Sequence, residues 1–264
     1  MPDKKIDYKA RLEKKLCLAR EIPEPVFDLS DCNLKRIPSN IFSLCKVFRK
    51  DALYLQNNLL SSFAPGGSLE NLNNLKILNI SSNQFAELPN EINELKSLEI
   101  LDISNNRLKR LPFVIGDLKN LQYLNASFNN LLNLPSAIGN CQNLKILNLK
   151  SNKNLKELPI ALGKLTCLVE LDLDPTIVYP PPETCKNGIN AILLFLQKEF
   201  SSNSNSPSTS AAACCNDLPI NNNNADKKLQ ERNQNLRLSF EKKLIDKNYR
   251  LFESQENKDK KTKM

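Results

Sequence analysis

Leucines at positions 75, 98, 121 and 144 recur every 23 residues, and each opens a copy of one pattern. Leu75, Leu78, Ile80, Asn83, Phe85, Leu88 and Pro89 fill the first copy. Leu98, Leu101, Ile103, Asn106, Leu108, Leu111 and Pro112 fill the second. Leu121, Leu124, Ala126, Asn129, Leu131, Leu134 and Pro135 follow, then Leu144, Leu147, Leu149, Asn152, Leu155, Leu158 and Pro159. The last copy carries one extra residue, because Asn154 stands where a leucine is due. A unit this short cannot bury its own apolar row, so it must stack on further units of the same kind.

Weaker copies flank these four. Leu53, Leu55, Asn58, Leu60 and Phe63 form one, and Phe27, Leu29, Cys32, Leu34, Ile37 and Pro38 form another. Leu168, Leu171 and Leu173 begin a last copy that ends irregularly in Thr176, Val178 and Tyr179. The pattern LxxLxLxxNxLxxLP therefore predicts an α/β leucine-rich-repeat solenoid of about seven repeats with a parallel concave sheet. Within LxLxx, residues alternate inward and outward as in a strand. The LPxxI segments start helical or 3₁₀ turns on the convex side, with proline suited to a first turn.

Two sets of polar positions follow. Asn58, Asn83, Asn106, Asn129 and Asn152, with Cys32 in the same slot, fall where the chain leaves the strand. A buried amide in every repeat is costly unless paired, so a ladder of bonds to backbone groups is expected. The solvent-facing strand positions form columns. One reads Ile77, Ile100, Tyr123, Ile146, Glu170, and the next Asn79, Asp102, Asn125, Asn148, Asp172. A third reads Ser81, Ser104, Ser127, Lys150, Asp174. Apolar anchors beside amides and acids suit a protein or peptide groove, which Phe128 extends. Packing of stacked β-branched residues on one another is the competing explanation.

The ends need covering. Residues 1–25 supply a helical cap, with Ile6, Ala10, Leu12, Leu16 and Ala19 on its apolar side. The solenoid spans 26–182, and Pro180, Pro181 and Pro182 stop it. Residues 183–200 read as a capping helix, with Ile189, Ile192, Leu193, Leu196 and Phe200 on one side. Residues 201–225 are Ser, Asn and Ala and read as a disordered linker. Residues 226–264 read as a basic helix, the start of a coiled coil, and a charged tail. Leu236, Phe240 and Leu244 stand at i, i+4 and i+8 there, a stripe suited to a partner or to weak self-association.

Several classes are excluded. The chain has no histidine, which removes Ser-His and Cys-His catalysis and histidine metal sites. No Walker loop, GxGxxG or zinc spacing occurs, so no cofactor or metal is expected. Asp102 and Asp172 would lie three strands apart, roughly 14 Å, too far to act as an acid/base pair. Residues 21–200 hold 18 basic and 18 acidic side chains, so the solenoid has no basic face for nucleic acid. The surplus of the +8 net charge sits in the tails. No apolar run spans a membrane and no signal-peptide core opens the chain, which places it in the cytoplasm. The eight cysteines then read as reduced and mostly buried thiols, with Cys214 and Cys215 in the linker.

The flanks are more distinctive than the repeat. Arg11-Leu12-Glu13, Leu16-Cys17-Leu18-Ala19-Arg20, Asp28-Leu29-Ser30 and Cys45-Lys46-Val47 resemble the start of the leucine-rich repeat and sterile alpha motif-containing E3 ubiquitin ligases. Val178-Tyr179-Pro180-Pro181, Cys185, Ala191-Ile192-Leu193, Phe195-Leu196 and Lys198-Glu199 resemble that family too. The resemblance covers about residues 8–200. It implies a cytosolic recognition part without the RING chemistry, because no sterile alpha motif domain and no RING cysteines occur here. The expected function is non-enzymatic protein recognition through the concave face, as the target-recognition part of an E3 ligase-like protein. A free-standing scaffold for phosphatase or Ras-pathway complexes is the alternative.

Overall fold

The computed structural model describes residues 7–21, 23–203 and 234–243. Among them, seven three-residue strands form one parallel sheet in chain order. These are β1 (Val26–Asp28), β2 (Ala52–Tyr54), β3 (Ile77–Asn79), β4 (Ile100–Asp102), β5 (Tyr123–Asn125), β6 (Ile146–Asn148) and β7 (Glu170–Asp172). The register matches the repeat: Leu78 pairs with Leu101, Leu101 with Leu124, and Leu124 with Leu147. The chain is an α/β leucine-rich-repeat solenoid. Its core is the stack of leucines that the period places at equivalent points, including Leu78, Leu101, Leu124 and Leu147, all fully buried.

The convex side is built from 3₁₀ turns at Leu69–Leu72, Asn90–Glu94, Phe113–Asp117, Ser136–Asn140 and Ile160–Lys164. Pro89, Pro112, Pro135 and Pro159 precede the last four in extended conformation. Proline therefore sits just outside the turn rather than in it, where its carbonyl accepts the first turn bond. Neighbouring turns pack closely through small residues. A Cβ on Gly116 would lie 2.3 Å from the Ala137 carbonyl oxygen, and one on Gly139 2.2 Å from that of Ala161.

The caps differ in detail from the sequence expectation. At the N-terminus α1 (Tyr8–Glu21) packs Leu12, Leu16 and Ala19 on the core, while Ala10 stays exposed and Ile6 lies outside the described residues. Lys15 pins it by donating to Asp28 Oδ2 at 2.9 Å and the Ser30 carbonyl at 2.7 Å. A helix in the first long repeat, α2 (Ile41–Val47), buries Ile41, Phe42 and Cys45. At the far end the expected single helix is two, α3 (Pro182–Lys186) and α4 (Ile189–Asn203). Gly188 separates them with φ 86°, a left-handed conformation that ends the first helix. The second buries Ile192 and Leu196 against the last convex turn. It continues through Asn203, past the expected start of the linker, and residues 204–225 lie outside the described residues. In the last repeat Ile177 is buried and Val178 is 61% exposed, so the inward position is one residue earlier than the sequence suggests.

Candidate functional site on the concave sheet

The asparagine positions form a ladder inside the turns. Asn106 Nδ2 donates to the carbonyls of Ile80, Ile103 and Ser104, and its Oδ1 accepts from the Phe85 amide at 3.0 Å. Each side chain thus ties its own turn to the preceding repeat. Asn83 does the same with Leu55 and Leu60, Asn129 with Ile103 and Leu108, and Asn152 with Ala126 and Leu131. Asn58 accepts from the Cys32 and Leu34 amides, and the Cys32 thiol donates to the Ser30 carbonyl at 3.2 Å. The residue before each ladder position has a positive φ: Asp31, Asn57, Ser82, Asn105, Phe128 and Ser151. Phe128 is the one bulky side chain in that series, and it is 61% exposed. Left-handed backbone is uncommon for an aromatic residue.

The columns lie in the expected register, Ile77–Ile100–Tyr123–Ile146–Glu170 and Asn79–Asp102–Asn125–Asn148–Asp172. They are not solvent-facing, however. Tyr123 is 2% exposed, and Ile100 and Ile146 are 1%. The reason is a segment far along the chain. Residues 234–243 are helical, and Phe240 and Leu236 pack with Val26, Ala52, Tyr54, Ile77, Ile100, Tyr123 and Ile146 in one apolar cluster. The Phe240 and Tyr123 rings meet at 5.6 Å between centroids. Arg237 Nη1 donates to Glu170 Oε1 at 2.5 Å and to Asp172 Oδ2 at 2.6 Å, and its Nε reaches Glu241 at 2.9 Å. At the other end the Tyr54 hydroxyl donates to the Lys243 carbonyl at 3.2 Å. The segment therefore runs from β7 toward β2, with its basic residue on the acidic end of the columns.

Polar groups beneath the segment are held by the strand ends. Asp102 Oδ1 accepts from the Ser104 amide and hydroxyl, and Oδ2 faces Asn125 Nδ2 at 3.4 Å. Asn79, Asn125 and Asn148 each accept from the amide two residues on. Oδ1 of Asn79, Asp102, Asn125 and Asn148 is thus committed to the turn. Burial pushes the Asp102 carboxyl above its ordinary range, against the bonds from Ser104. Burial also raises Glu170, opposed by its bond to Arg237. Glu170 Oε2 is buried with no hydrogen-bond partner among the described residues, and so is Gln56 Oε1 near the β2 end.

Sequence reasoning missed three parts of this site. Val26 and Ala52 extend the apolar column onto β1 and β2, and Asp28 and Tyr54 extend the polar one. The alternation Leu53–Tyr54–Leu55 was their signal. Arg237 was missed between Leu236 and Phe240, although only a basic residue on that stripe matches an acidic column end. Leu244, the third residue of the stripe, lies outside the described residues. Among the described residues no group of His, Cys, Asp and Glu is arranged to hold a metal, and no helix is long and apolar enough to cross a membrane. The described cysteines are free thiols. Cys32, Cys45 and Cys141 are buried, while Cys17 and Cys167 are exposed, and Cys214 and Cys215 lie outside the described residues.

Residues 33–132 match the family model described as a leucine-rich repeat region, and residues 143–165 match the model for a single leucine-rich repeat. The chain contains a leucine-rich-repeat region. Its curated relatives include the mouse E3 ubiquitin-protein ligase LRSAM1, 36% identical over 90 residues. That match takes in 33% of this chain and only 12% of the ligase, and it agrees with the resemblance carried by the flanking motifs. Similar solved structures include the plant peptide hormone receptor RGFR1 in complex with RGF2, at 34% identity and TM-score 0.41, over 46% of this chain and 20% of that one. A leucine-rich-repeat protein of Leptospira interrogans is 24% identical with TM-score 0.40, over 60% of this chain and 57% of that one.

Proposed function

We propose that this chain is a protein-recognition module whose concave sheet takes up a segment of a partner protein. The observation that carries the reading is the occupied sheet itself. Its apolar column and acidic end already hold a helix through Tyr123, Glu170 and Asp172. A surface that desolvates a packed aromatic and an arginine ion pair has the anchors of a protein interface. The anchors are Ile77, Ile100, Tyr123 and Ile146. Glu170 and Asp172 fix register, Asn79, Asp102, Asn125 and Asn148 shape the floor, and exposed Phe128 extends the rim.

The likeness to LRSAM1 supports a more specific reading, the target-recognition part of an E3 ligase-like protein acting in the cytoplasm. Buried unpaired thiols suit that reducing compartment. The test is a quantitative pull-down from cells with the full chain and with Tyr123→Ala combined with Ile100→Ala. Proteins captured by the wild type should be lost from the variant while its melting temperature stays within a few degrees. Capture indifferent to both substitutions would overturn the proposal. Ubiquitin modification of a captured protein that ceases with the same variant is the outcome specific to the ligase reading.

A further inference from the structure

The geometry points to an amphipathic helix as the ligand class of the concave face, with an arginine and an aromatic residue one turn apart. It makes residues 234–243 a tethered stand-in for that ligand. The inference rests on the concave sheet being the recognition surface and goes on to name what fills it.

Three observations on the two surfaces support it. First, the match is chemical as well as steric. Phe240 is 3% exposed and lies on Tyr123, at the centre of the apolar column. Arg237, at i−3 and so on the same helix face, meets the carboxylates that end both columns. Reversing the helix would take the guanidinium away from those carboxylates, so charge fixes direction. Second, the face turned away from the sheet is that of an ordinary surface helix: Leu238 is 52% exposed, and Ser239 and Lys242 are exposed. Third, the stand-in is an imperfect fit. Arg237 reaches Glu170 through Oε1 alone, leaving Oε2 buried without a partner. Buried acceptors without donors weaken an interface.

A rival helix that brings a second donor to Glu170 would therefore bind better contact for contact. It would displace residues 234–243 despite the advantage that tethering gives them. The concave face is then open to well-matched helices and closed to weaker ones, which is specificity by competition.

The test uses a fluorescein-labelled synthetic peptide with the sequence of residues 230–247, the full chain, and the full-chain variant Arg237→Ala with Phe240→Ala. Anisotropy should show the variant binding the peptide at least tenfold more tightly than the wild type. Adding Tyr123→Ala and Glu170→Ala to the variant should abolish that binding, with hydrogen-exchange protection of residues 75–159 unchanged as proof of folding. Equal binding by wild type and opened variant overturns the inference. So does binding that survives loss of Tyr123 and Glu170. Sedimentation equilibrium supplies the remaining outcome. A wild-type dimer that falls to a monomer on Arg237→Ala with Phe240→Ala would place the helix on a second copy and overturn the tethered assignment. Cellular proteins lost with Tyr123 and Ile100, together with no peptide binding, would sink only this inference and leave the recognition reading standing.

Discussion

The asparagine ladder and the concave columns repeat with the same period, yet they are buried by different means. Each ladder residue finds its partners within its own turn and the repeat before it. The columns are covered by a segment whose Arg237 lies 65 positions beyond its partner Asp172. The five asparagine rungs share one chemistry, because each solves one problem, an otherwise unpaired set of backbone groups. The apolar column runs Val26, Ala52, Ile77, Ile100, Tyr123, Ile146, Glu170, and its change from apolar to acidic gives the face a direction. Uniformity marks the scaffold, and variation marks the face that the 234–243 helix covers.

The sharpest break of this comparison is Asn106→Leu. It strands the carbonyls of Ile80, Ile103 and Ser104 and the Phe85 amide, and should cost about 1–3 kcal/mol in urea unfolding. An unchanged midpoint would remove the ladder from the scaffold. Phe240→Ala should act on the other side only. Hydrogen-exchange protection of residues 234–243 should fall about tenfold, equivalent to about 1.4 kcal/mol, while residues 75–159 keep theirs. Protection lost throughout would mean that the segment is part of the core. A smaller effect is expected from Arg237→Lys, which keeps the charge but loses the planar fork that reaches Glu170, Asp172 and Glu241 together. Segment docking should weaken by about 0.5–1 kcal/mol and become more sensitive to salt. Equal protection at low and high salt in both proteins would deny the ion pair a role.

The smallest effect concerns pH. Burial raises the Asp102 carboxyl above its ordinary 3.8, so its charged form destabilises the fold at neutral pH. That cost vanishes below pH 3.8 and returns in full as the pH rises through the folded-state value. Asp102→Asn removes the charge and reproduces the asparagine found at 79, 125 and 148. It should raise stability at pH 7 and flatten that part of the pH profile. A loss of stability at pH 7 would show that the carboxylate is needed as it stands.

Much of this was legible before any coordinates. Leu78, Leu101, Leu124 and Leu147 at one spacing leave no other way to hide from water, so fold, register and ladder positions follow from local rules repeated. Where a rule is broken, the reading slips. Gly188 divides the expected capping helix, and Ile177 rather than Val178 turns inward, because one left-handed residue or a one-residue offset changes which side is buried.

By itself the chain's order of residues settled what stacks on what, since every rung of the solenoid meets a near-copy of itself at a fixed distance in sequence. It also supplied both halves of the concave contact, a column with an acidic end and a stripe containing Leu236 and Phe240. That those halves meet was decided only in three dimensions. Their contact has no period and spans dozens of residues, and it depends on the sheet bringing Tyr54, Tyr123 and Glu170 onto one face at the reach of a three-turn helix.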